Sequence, residues 1–266
     1  MQSTKHISSA QNPLIKKVLQ LKDKSRERKK TGLFILEGLR ELQIASKALY
    51  DIESILYCED ILENTQILQS FNYDQSISVS ADVYKKLAYR DTTEGIIAIA
   101  KSKDHQLSSL AFDTENPLIL IAEAPEKPGN IGALLRTADA ANLDAVLIAN
   151  PKTDLYNPNI IRSSVGCVFS RNVKMGTTTE IISYLKKEGI QVFCAALSAS
   201  KDYTTVSFKG PTALVVGTEH SGLSNEWLQN STQNIIIPME GEIDSMNVSV
   251  SAAILIFEAK RQRKLN

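Results

Sequence analysis

Three short polar side chains stand close together near the C-terminal end of the chain. Ser245, Asn247 and Ser249 lie in the segment IPMEGEIDSMNVSV, residues 237–250, and no charged residue follows them until Glu258. The pattern predicts a junction between a strand and a helix. Hydroxyl and amide groups at such a junction can cap the helix or bond to a small polar ligand. Taken alone, Ser245 and Asn247 are most simply turn and cap residues.

Two earlier segments have the same character. PEKPGNIGALLRTADAANLD contains Asn130 and Arg136, and LVVGTEHSGLS contains Glu219. Alone, Asn130 is most simply a helix N-cap, Arg136 a solvated arginine and Glu219 a loop carboxylate. Arg162, within NPNIIRSSVGCVF, is a second arginine at a boundary between polar and apolar residues.

Several common nucleotide-binding and hydrolytic motifs do not occur. The strand before EAPEKPGN has no GxGxxG, which argues against a Rossmann dehydrogenase or methyltransferase. GTEHSGLS differs from the P-loop GxxxxGK(S/T) because Leu223 replaces the lysine and Glu219 would repel a triphosphate. Neither GxSxG nor HExxH is found. His6, His105 and His220 are far apart in the sequence, so no metal site is predicted.

Together the three segments resemble the signature motifs of the SpoU (TrmH-type) branch of the SPOUT RNA methyltransferases. N-x-G-x-x-x-R matches residues 130–136, G-x-E-x-x-G-(L/V)-S matches residues 217–224, and I-P-M-x-G-x-x-x-S-L-N-V-(S/A) matches residues 237–249. The departures are small, such as Met246 in place of the usual leucine. The resemblance is strong from residue 118 onward. SSAQNPLIKKVLQL and GLFILEGLRE are similar to the substrate-binding domain often joined to this catalytic domain.

The resemblance implies an α/β fold: a C-terminal SPOUT parallel sheet with a trefoil knot and a smaller N-terminal ribosomal-protein-like α/β substrate-binding domain. It also implies a homodimer with a site shared between subunits. S-adenosyl-L-methionine would be held by loops at residues 197–200, 217–222 and 237–247. The cofactor-binding residues implied in these loops are Leu197, Gly217, Glu219, Gly222, Ile237, Met239, Met246 and Asn247.

The implied reaction is methyl transfer to a ribose 2′-hydroxyl of RNA. The implied catalytic residues are Asn130, Arg136, Glu219, Ser245 and Asn247. Because arginine stays protonated at ordinary pH, we expect Arg136 to grip a phosphate and stabilise the developing alkoxide. That Arg136 itself activates the hydroxyl stays an alternative. Ribosomal RNA is the expected substrate, and the alternatives are tRNA or a non-catalytic role in RNA binding or ribosome assembly.

Charge is balanced overall but not along the chain. Lys+Arg and Asp+Glu are both 30 among 266 residues. Residues 1–30 hold nine Lys or Arg and two acids, whereas residues 51–80 hold six acids and no Lys or Arg. The basic segment is either a solvated arm or a contact for a polyanion. The candidate RNA-binding residues are Lys16, Lys17, Arg26, Arg28, Lys29, Lys30 and Arg162.

Cysteine usage and hydropathy bear on the compartment. Cys58, Cys167 and Cys194 have no CxxC spacing, which argues for a reducing compartment and against structural zinc. No apolar run approaches the ~18 residues of a membrane span. The N-terminal segment is too polar for a secretory signal. These features predict a cytoplasmic protein with no membrane or metal partner.

Hydrophobic periodicity divides the chain into two α/β segments. A helix after Asn12 and strands at 33–38, 54–58, 76–80 and 95–100 predict an RNA substrate-binding domain, residues 1–105. After a polar linker, apolar strands such as 145–149 alternate with helices, one of them around residues 159–168. This alternation predicts a parallel sheet covered on both faces, residues 113–266. The last predicted helix, 248–263, is apolar all round at 252–257. It is therefore expected to pack on the sheet and on another subunit, or to lie inside a large core.

Overall fold

The computed structural model describes residues 5–89, 94–197, 200–218, 220–242 and 245–264. These residues form two compact units. The first contains the residues up to Asp104 together with Asp154–Ser170, and the second contains His105–Thr153 and the residues from Arg171 onward. The sequence-based domain boundaries, 1–105 and 113–266, stay a prediction; the structure adds that Asp154–Ser170 packs with residues of the first unit.

The strands and helices of the described residues follow one another through both units. The strands are β1 (Lys5–Ile7), β2 (Leu33–Glu37), β3 (Ile52–Tyr57), β4 (Tyr73–Val79), β5 (Ile96–Lys101), β6 (Leu118–Glu123), β7 (Ala145–Ala149), β8 (Val173–Gly176), β9 (Gln191–Ala195), β10 (Lys201–Asp202), β11 (Thr212–Val216) and β12 (Gln233–Ile236). The α-helices are α1 (Pro13–Asp23), α2 (Ser25–Thr31), α3 (Leu39–Lys47), α4 (Ala81–Leu87), α5 (Pro128–Ala140), α6 (Pro158–Ser163), α7 (Cys167–Ser170), α8 (Thr178–Lys187), α9 (Asn225–Asn230) and α10 (Val248–Lys264). Short 3₁₀ helices lie at Thr65–Ser70, Leu107–Ser109 and Tyr203–Thr205. Among the described residues, none of these helices combines the length and the hydropathy needed to cross a bilayer.

The first unit is built on a mixed five-stranded sheet in the order β1-β4-β3-β5-β2. β5 runs antiparallel to β2 and β3, whereas β1, β4 and β3 run parallel. α1 and α4 cover one face with a shared apolar core. The start of α1 follows from its sequence, because Asn12 accepts a hydrogen bond from the backbone N–H of Leu14 (2.9 Å) and Pro13 fits the first helical position.

An aromatic cluster joins Asp154–Ser170 to the rest of the first unit. The Phe34 ring stacks on Tyr156 with ring centroids 4.2 Å apart, and it also stacks on Phe169 at 5.6 Å. The hydroxyls of Tyr50 and Tyr156 are 3.2 Å apart in a buried hydrogen bond. Burial raises the pKa of both tyrosines above the ordinary value. The cluster makes this segment part of the first unit's core, although it lies between β7 and β8 in the chain.

The second unit is built on a seven-stranded sheet in the order β10-β12-β9-β11-β6-β7-β8. Every strand pair in it is parallel. β6, β7 and β11 are buried along their whole length, as expected for central strands covered on both faces. α8 and α9 pack on one face, whereas α5 and α10 lie on the other. The predicted parallel sheet is confirmed.

α10 is only partly buried within the chain. Ala252, Leu255, Ile256 and Ala259 are buried against α5 and β11. By contrast, Val250 and Phe257 are 48% and 51% exposed. The helix that is apolar all round in sequence therefore has one covered face and one apolar face that the described residues leave exposed.

The predicted helix around residues 159–168 is wrong as a single element. It is divided into α6 and α7 because Val165 (φ 53°) and Gly166 (φ 81°) adopt left-handed backbone conformations between them. Gly166 also approaches α3 closely: an added Cβ would lie 3.3 Å from the Cα of Glu41 and 3.1 Å from the Cδ1 of Ile44. A side chain at this position would therefore be strained in both backbone and packing.

Candidate active site

The carboxyl ends of β9, β11 and β12 open onto a cavity of about 410 Å³, here called the loop cavity. These strands are parallel neighbours, so the loops that follow them meet at one edge of the sheet. The remaining side of the cavity is formed by residues just before and at the start of α10, namely Ser245, Met246, Val248 and Ser251. The structure places around it most of the residues implied as cofactor-binding, and also Ser245: they are Leu197, Gly217, Gly222, Ile237, Met239, Ser245 and Met246. Glu219 lies outside the described residues.

The loop cavity is lined mainly by apolar side chains and by backbone. Residues that pattern reasoning did not single out also line it, among them Ala195, Ala196, Thr218, His220 and Ser221. Gly217 has no room for a side chain, because an added Cβ would lie 2.2 Å from the carbonyl carbon and oxygen of Gly222. The glycine thus allows two backbone segments to pass at the cavity wall.

Four hydrogen bonds join Thr218 to Ser221 and Gly222 in a tight turn. The backbone N–H of Thr218 donates to the carbonyl of Gly222 (3.0 Å), and the N–H of Gly222 donates back to Thr218 (3.1 Å). The hydroxyls of Thr218 and Ser221 are 2.8 Å apart, and the N–H of Ser221 donates to the Thr218 hydroxyl at 3.1 Å. His220 is exposed within this turn.

A second cavity of about 450 Å³, here called the adjoining cavity, lies beside the first. Pro125, Glu126, Lys127 and Asn130 line it at the start of α5. The two cavities share a wall, because both are lined by Gly217, Thr218, His220, Ser221 and Val248. Two ligands bound side by side could therefore meet at this wall.

Asn130 and Asn247 are brought together although 117 positions separate them. The Nδ2 of Asn247 donates to the Oδ1 of Asn130 at 3.3 Å. The Oδ1 of Asn247 accepts from the backbone N–H of Ser249 at 2.9 Å, so Asn247 also caps α10. Asn130 is not the N-cap of α5, because the helix begins at Pro128 after the N-cap Lys127. Asn130 is in the first turn and its side chain points to the other motif instead.

Arg136 is not brought to either cavity within this chain. It is exposed on α5, and it does not appear among the described residues that line the two cavities. By contrast, Ser245 and Asn130, which are also implied as catalytic, do line them. A role for Arg136 in this site therefore needs another subunit or bound RNA to bring the guanidinium and the reacting hydroxyl together.

A buried carboxylate that sequence reasoning missed supports the site from below. Glu123, at the end of β6, accepts hydrogen bonds from the backbone N–H of Ser224 (2.8 Å) and from the hydroxyl of Thr178 (3.3 Å). Thr178 in turn accepts from the Nδ2 of Asn150 at 2.9 Å. Burial, with a smaller contribution from the Glu123 charge, raises the pKa of the Cys194 thiol to about 12. Glu123 therefore anchors the end of the 217–224 loop to the central sheet.

Most of the candidate RNA-binding cations are at the surface of the first unit. Lys16, Arg26, Lys29 and Lys30 are exposed on α1 and α2. Lys17 forms an ion pair with Glu53, with Nζ and Oε1 2.9 Å apart. These positions agree with a role in contacting phosphates, which stays a prediction.

Arg28 departs from this expectation. Its side chain is only 5% exposed and forms an ion pair with Asp154. The guanidinium also donates to the carbonyl oxygens of Leu21 (2.6 Å) and Lys22 (3.1 Å). Because the side chain is buried and its Nε and Nη1 donors are directed at protein acceptors, Arg28 links Asp154 to α1 and is not available to a phosphate.

Arg162 is exposed, and its guanidinium carbon lies 5.7 Å from the centre of the Tyr89 ring. This distance permits a cation–π contact.

A group of three or more histidine, cysteine, aspartate or glutamate side chains suited to a metal ion is not found within the described residues.

The comparisons with known proteins identify the class. Residues 117–257 match the SpoU rRNA Methylase family, and residues 12–98 match the MRM3-like substrate binding domain. The first match spans more than half of the chain and contains the three motifs and both cavities. The chain therefore belongs to the SpoU rRNA methylase family.

Individual relatives resemble the chain along nearly its full length. The 23S rRNA (guanosine(2553)-2′-O)-methyltransferase RlmP of Bacillus subtilis is 30% identical, over 96% of this chain and 99% of the relative. The 23S rRNA (guanosine-2′-O-)-methyltransferase RlmB of Shewanella oneidensis is 31% identical over 88% of this chain and 96% of the relative.

Solved structures agree with these relatives. A crystal structure of an RNA 2′-O ribose methyltransferase shares 38% identity and a TM-score of 0.86, covering 98% of this chain and all of that one. An AdoMet-bound rRNA methyltransferase from Sinorhizobium meliloti shares 26% identity and a TM-score of 0.88, covering 97% of this chain and 98% of that one.

Proposed function

We propose that this protein transfers a methyl group from S-adenosylmethionine to a ribose 2′-hydroxyl of ribosomal RNA. The observation that carries the proposal is the pair of cavities that share one wall, one formed by the loops after the parallel strands and the other at the Asn130 end of α5. A methyl donor and a nucleotide bound in them would meet at that wall. The choice of ribosomal RNA rests on the activities of the full-length relatives.

The residues of the loop cavity fit S-adenosylmethionine. Its volume of about 410 Å³ falls within the range of small-molecule sites. Leu197, Ile237 and Met246 offer apolar contacts, and the backbone on both sides of Gly217 offers hydrogen-bonding groups. When bound, the cofactor supplies a methyl group made electrophilic by its sulfonium.

The adjoining cavity would hold the target nucleoside. Asn130 is fixed by Asn247, so the first turn of α5 and the start of α10 present one connected polar edge to this nucleoside. Holding the hydroxyl in line with the methyl group would be the main contribution of this edge to the rate.

We place Arg136 in the same site through a homodimer. Arg136 is exposed on α5, and α5 packs against α10, whose apolar Val250 and Phe257 are left exposed by the part of the chain that the structure describes. Burying Val250 and Phe257 against a second copy would bring α5 of one protomer close to its partner. There Arg136 could bind a phosphate in its planar fork and stabilise the developing alkoxide.

The first unit would hold the rest of the RNA. Lys16, Arg26, Lys29 and Lys30 can neutralise phosphates and release counterions, which makes binding salt-dependent. The same proposal includes a trefoil knot, which the family resemblance implies, and a cytoplasmic location.

The direct test is methyl transfer to RNA from cells that lack the protein. Tritium from S-adenosylmethionine should enter 23S ribosomal RNA and should be found as a 2′-O-methyl nucleotide. Incorporation only into tRNA would overturn the choice of substrate, and no incorporation into either RNA would favour the non-catalytic alternative.

Arg136→Lys tests the role of the arginine. The variant keeps the charge and loses the planar fork, so single-turnover methyl transfer should fall about 100-fold or more, as for loss of one transition-state donor. Titration should show S-adenosylmethionine affinity within a few fold of the wild type. Near-normal transfer would remove Arg136 from the mechanism.

Phe257→Glu tests the dimer. A carboxylate in the centre of an apolar interface would be buried without a partner, so light scattering at micromolar concentration should show a dimer for the wild type and a monomer for the variant. Lys264→Glu at the end of the same helix is the matched control. A monomeric wild-type protein would refute the proposal.

A further inference from the structure

Methyl transfer to a hydroxyl requires a group that removes the hydroxyl proton. Arg136 is poorly suited to this task, because a guanidinium is protonated at every pH in which proteins fold. Asn130, Asn247 and Ser245 have no basic group either. Glu219, which is also implied as catalytic, carries a carboxylate but lies outside the described residues. The described residues already assigned to the site can position the nucleotide and stabilise charge, but they do not provide a proton acceptor.

His220 is placed where such an acceptor is needed. Among the described residues, the titratable side chains that line either cavity are Glu126, Lys127 and His220. Glu126 and Lys127 line the adjoining cavity, whereas His220 lines both. The reacting oxygen and the methyl group must meet at the shared wall, and His220 is part of that wall.

The backbone holds His220 in position. Thr218 is joined to Gly222 by reciprocal backbone hydrogen bonds of 3.0 and 3.1 Å, and its hydroxyl is hydrogen-bonded to that of Ser221 in the same turn. The loop is anchored further along by the bond from Ser224 to the buried Glu123. A side chain carried by such a turn can face a ligand with little loss of conformational freedom on binding.

We propose that His220 is the catalytic base that accepts the proton of the 2′-hydroxyl, an inference that rests on the proposed function. The hydroxyl oxygen forms a bond to the methyl carbon as the carbon–sulfur bond breaks, and the electron pair of that bond stays on sulfur. The hydroxyl proton passes to an imidazole nitrogen of His220 and then to solvent, which the exposed ring can reach. Imidazole is suited to this transfer because histidine exchanges protons near neutral pH.

Among the described residues that line the cavities, Glu126 is the competing proton acceptor, because it carries a carboxylate. Glu126 and its neighbour Lys127 line the adjoining cavity on the segment that begins α5. A carboxylate there could take the proton only if the hydroxyl lay away from the shared wall. Glu126→Gln therefore serves as the matched variant for the alternative base.

The first experiment measures single-turnover methyl transfer to 23S ribosomal RNA against pH. We expect the wild-type rate to fall on the acidic side as the base becomes protonated and to level off above that. His220→Gln should be slower by about 10²- to 10⁴-fold and should lose this titration. His6→Gln is the matched control, because His6 contacts Ser78 in the first unit and should behave as the wild type.

Chemical rescue separates catalysis from structure. Added imidazole should restore transfer by His220→Ala, and more basic substituted imidazoles should restore it more strongly. A residue that only shaped the turn would not be replaced by a free base in solution. S-adenosylhomocysteine should bind both His220 variants within about threefold of the wild type, a range well below one tenfold step in affinity.

A readout independent of activity tests the location. Diethyl pyrocarbonate should modify His220 in the free protein, and S-adenosylhomocysteine should slow this modification, measured by peptide mass spectrometry. His6 should show no such protection. Equal modification of His220 with and without S-adenosylhomocysteine would contradict its place on the cavity wall.

The outcomes distinguish this inference from the proposed function. If the wild type methylates no RNA, the proposed function fails. If the wild type methylates RNA while His220→Gln keeps the rate and the pH profile, the function stands and His220 is not the base. Loss of the acidic titration in Glu126→Gln but not in His220→Gln would likewise overturn the inference.

Discussion

Gly217→Ala should weaken cofactor binding without unfolding the protein. The added Cβ would lie 2.2 Å from the carbonyl carbon and oxygen of Gly222 and 2.6 Å from the backbone nitrogen of Leu223. Ordinary contact begins at 3.4 Å, so the turn would have to move by more than 1 Å at the cavity wall. The obstacle is backbone on both sides, which cannot rotate away as a flexible side chain would.

The cost can be set from overpacking in protein interiors, about 1–3 kcal/mol. If this cost falls on the conformation that forms the cavity, it corresponds to a loss of roughly 5- to 150-fold in cofactor affinity. Calorimetric titration with S-adenosylhomocysteine should show it, while thermal unfolding should show a folded protein. Gly210→Ala is the matched control, because an added Cβ there meets no atom within 4 Å. Affinity within twofold of the wild type for Gly217→Ala would refute the reasoning.

Two further predictions follow from buried groups. Arg28→Met should lower the free energy of unfolding by about 3–5 kcal/mol in urea titration, because it leaves the Asp154 carboxylate without its buried partner. A loss below ~1 kcal/mol would mean that the ion pair is dispensable. Lys16→Met, at an exposed position, is the control. Cys194 should resist iodoacetamide at pH 8 in the folded protein, since its pKa near 12 keeps the thiol protonated, while the partly exposed Cys167 reacts first; equal labelling of the two by mass spectrometry would contradict this.

The central strands could be predicted because their apolar composition indicates that they are buried. β7 is apolar at every position and is buried at every position, so its predicted and observed limits coincide. α2 was missed for the opposite reason. SRERKKT has no apolar residue, and its one buried side chain is the charged Arg28, which hydropathy cannot distinguish from a solvated one. β8 was missed because it is short and only its first residue is fully buried.

The candidate site was accessible from the sequence only through the family motifs. Periodicity treats Asn130 and Asn247 as separate cap residues, and nothing local indicates that their side chains meet. His220 stands at a position that the motif G-x-E-x-x-G-(L/V)-S leaves unspecified, so the motif gives it no role. Its place between two cavities depends on the path of three loops, which is a property of the folded sheet.

The path of the chain through Asp154–Ser170 governs how the protein can be divided. The chain leaves the second unit after β7, completes the core of the first unit, and returns to form β8, so three covalent crossings join the two units. Cleavage by a protease near residue 104 would therefore leave the two fragments associated, because Asp154–Ser170 of the C-terminal fragment packs in the core of the first unit. A fragment that begins after residue 104 would carry Tyr156 and Phe169 without the aromatic partners that bury them, and it should aggregate. For separate study of RNA binding and methyl transfer, the fragment of the first unit should include Asp154–Ser170. The fragment of the second unit should have a short linker between β7 and β8 in place of this segment.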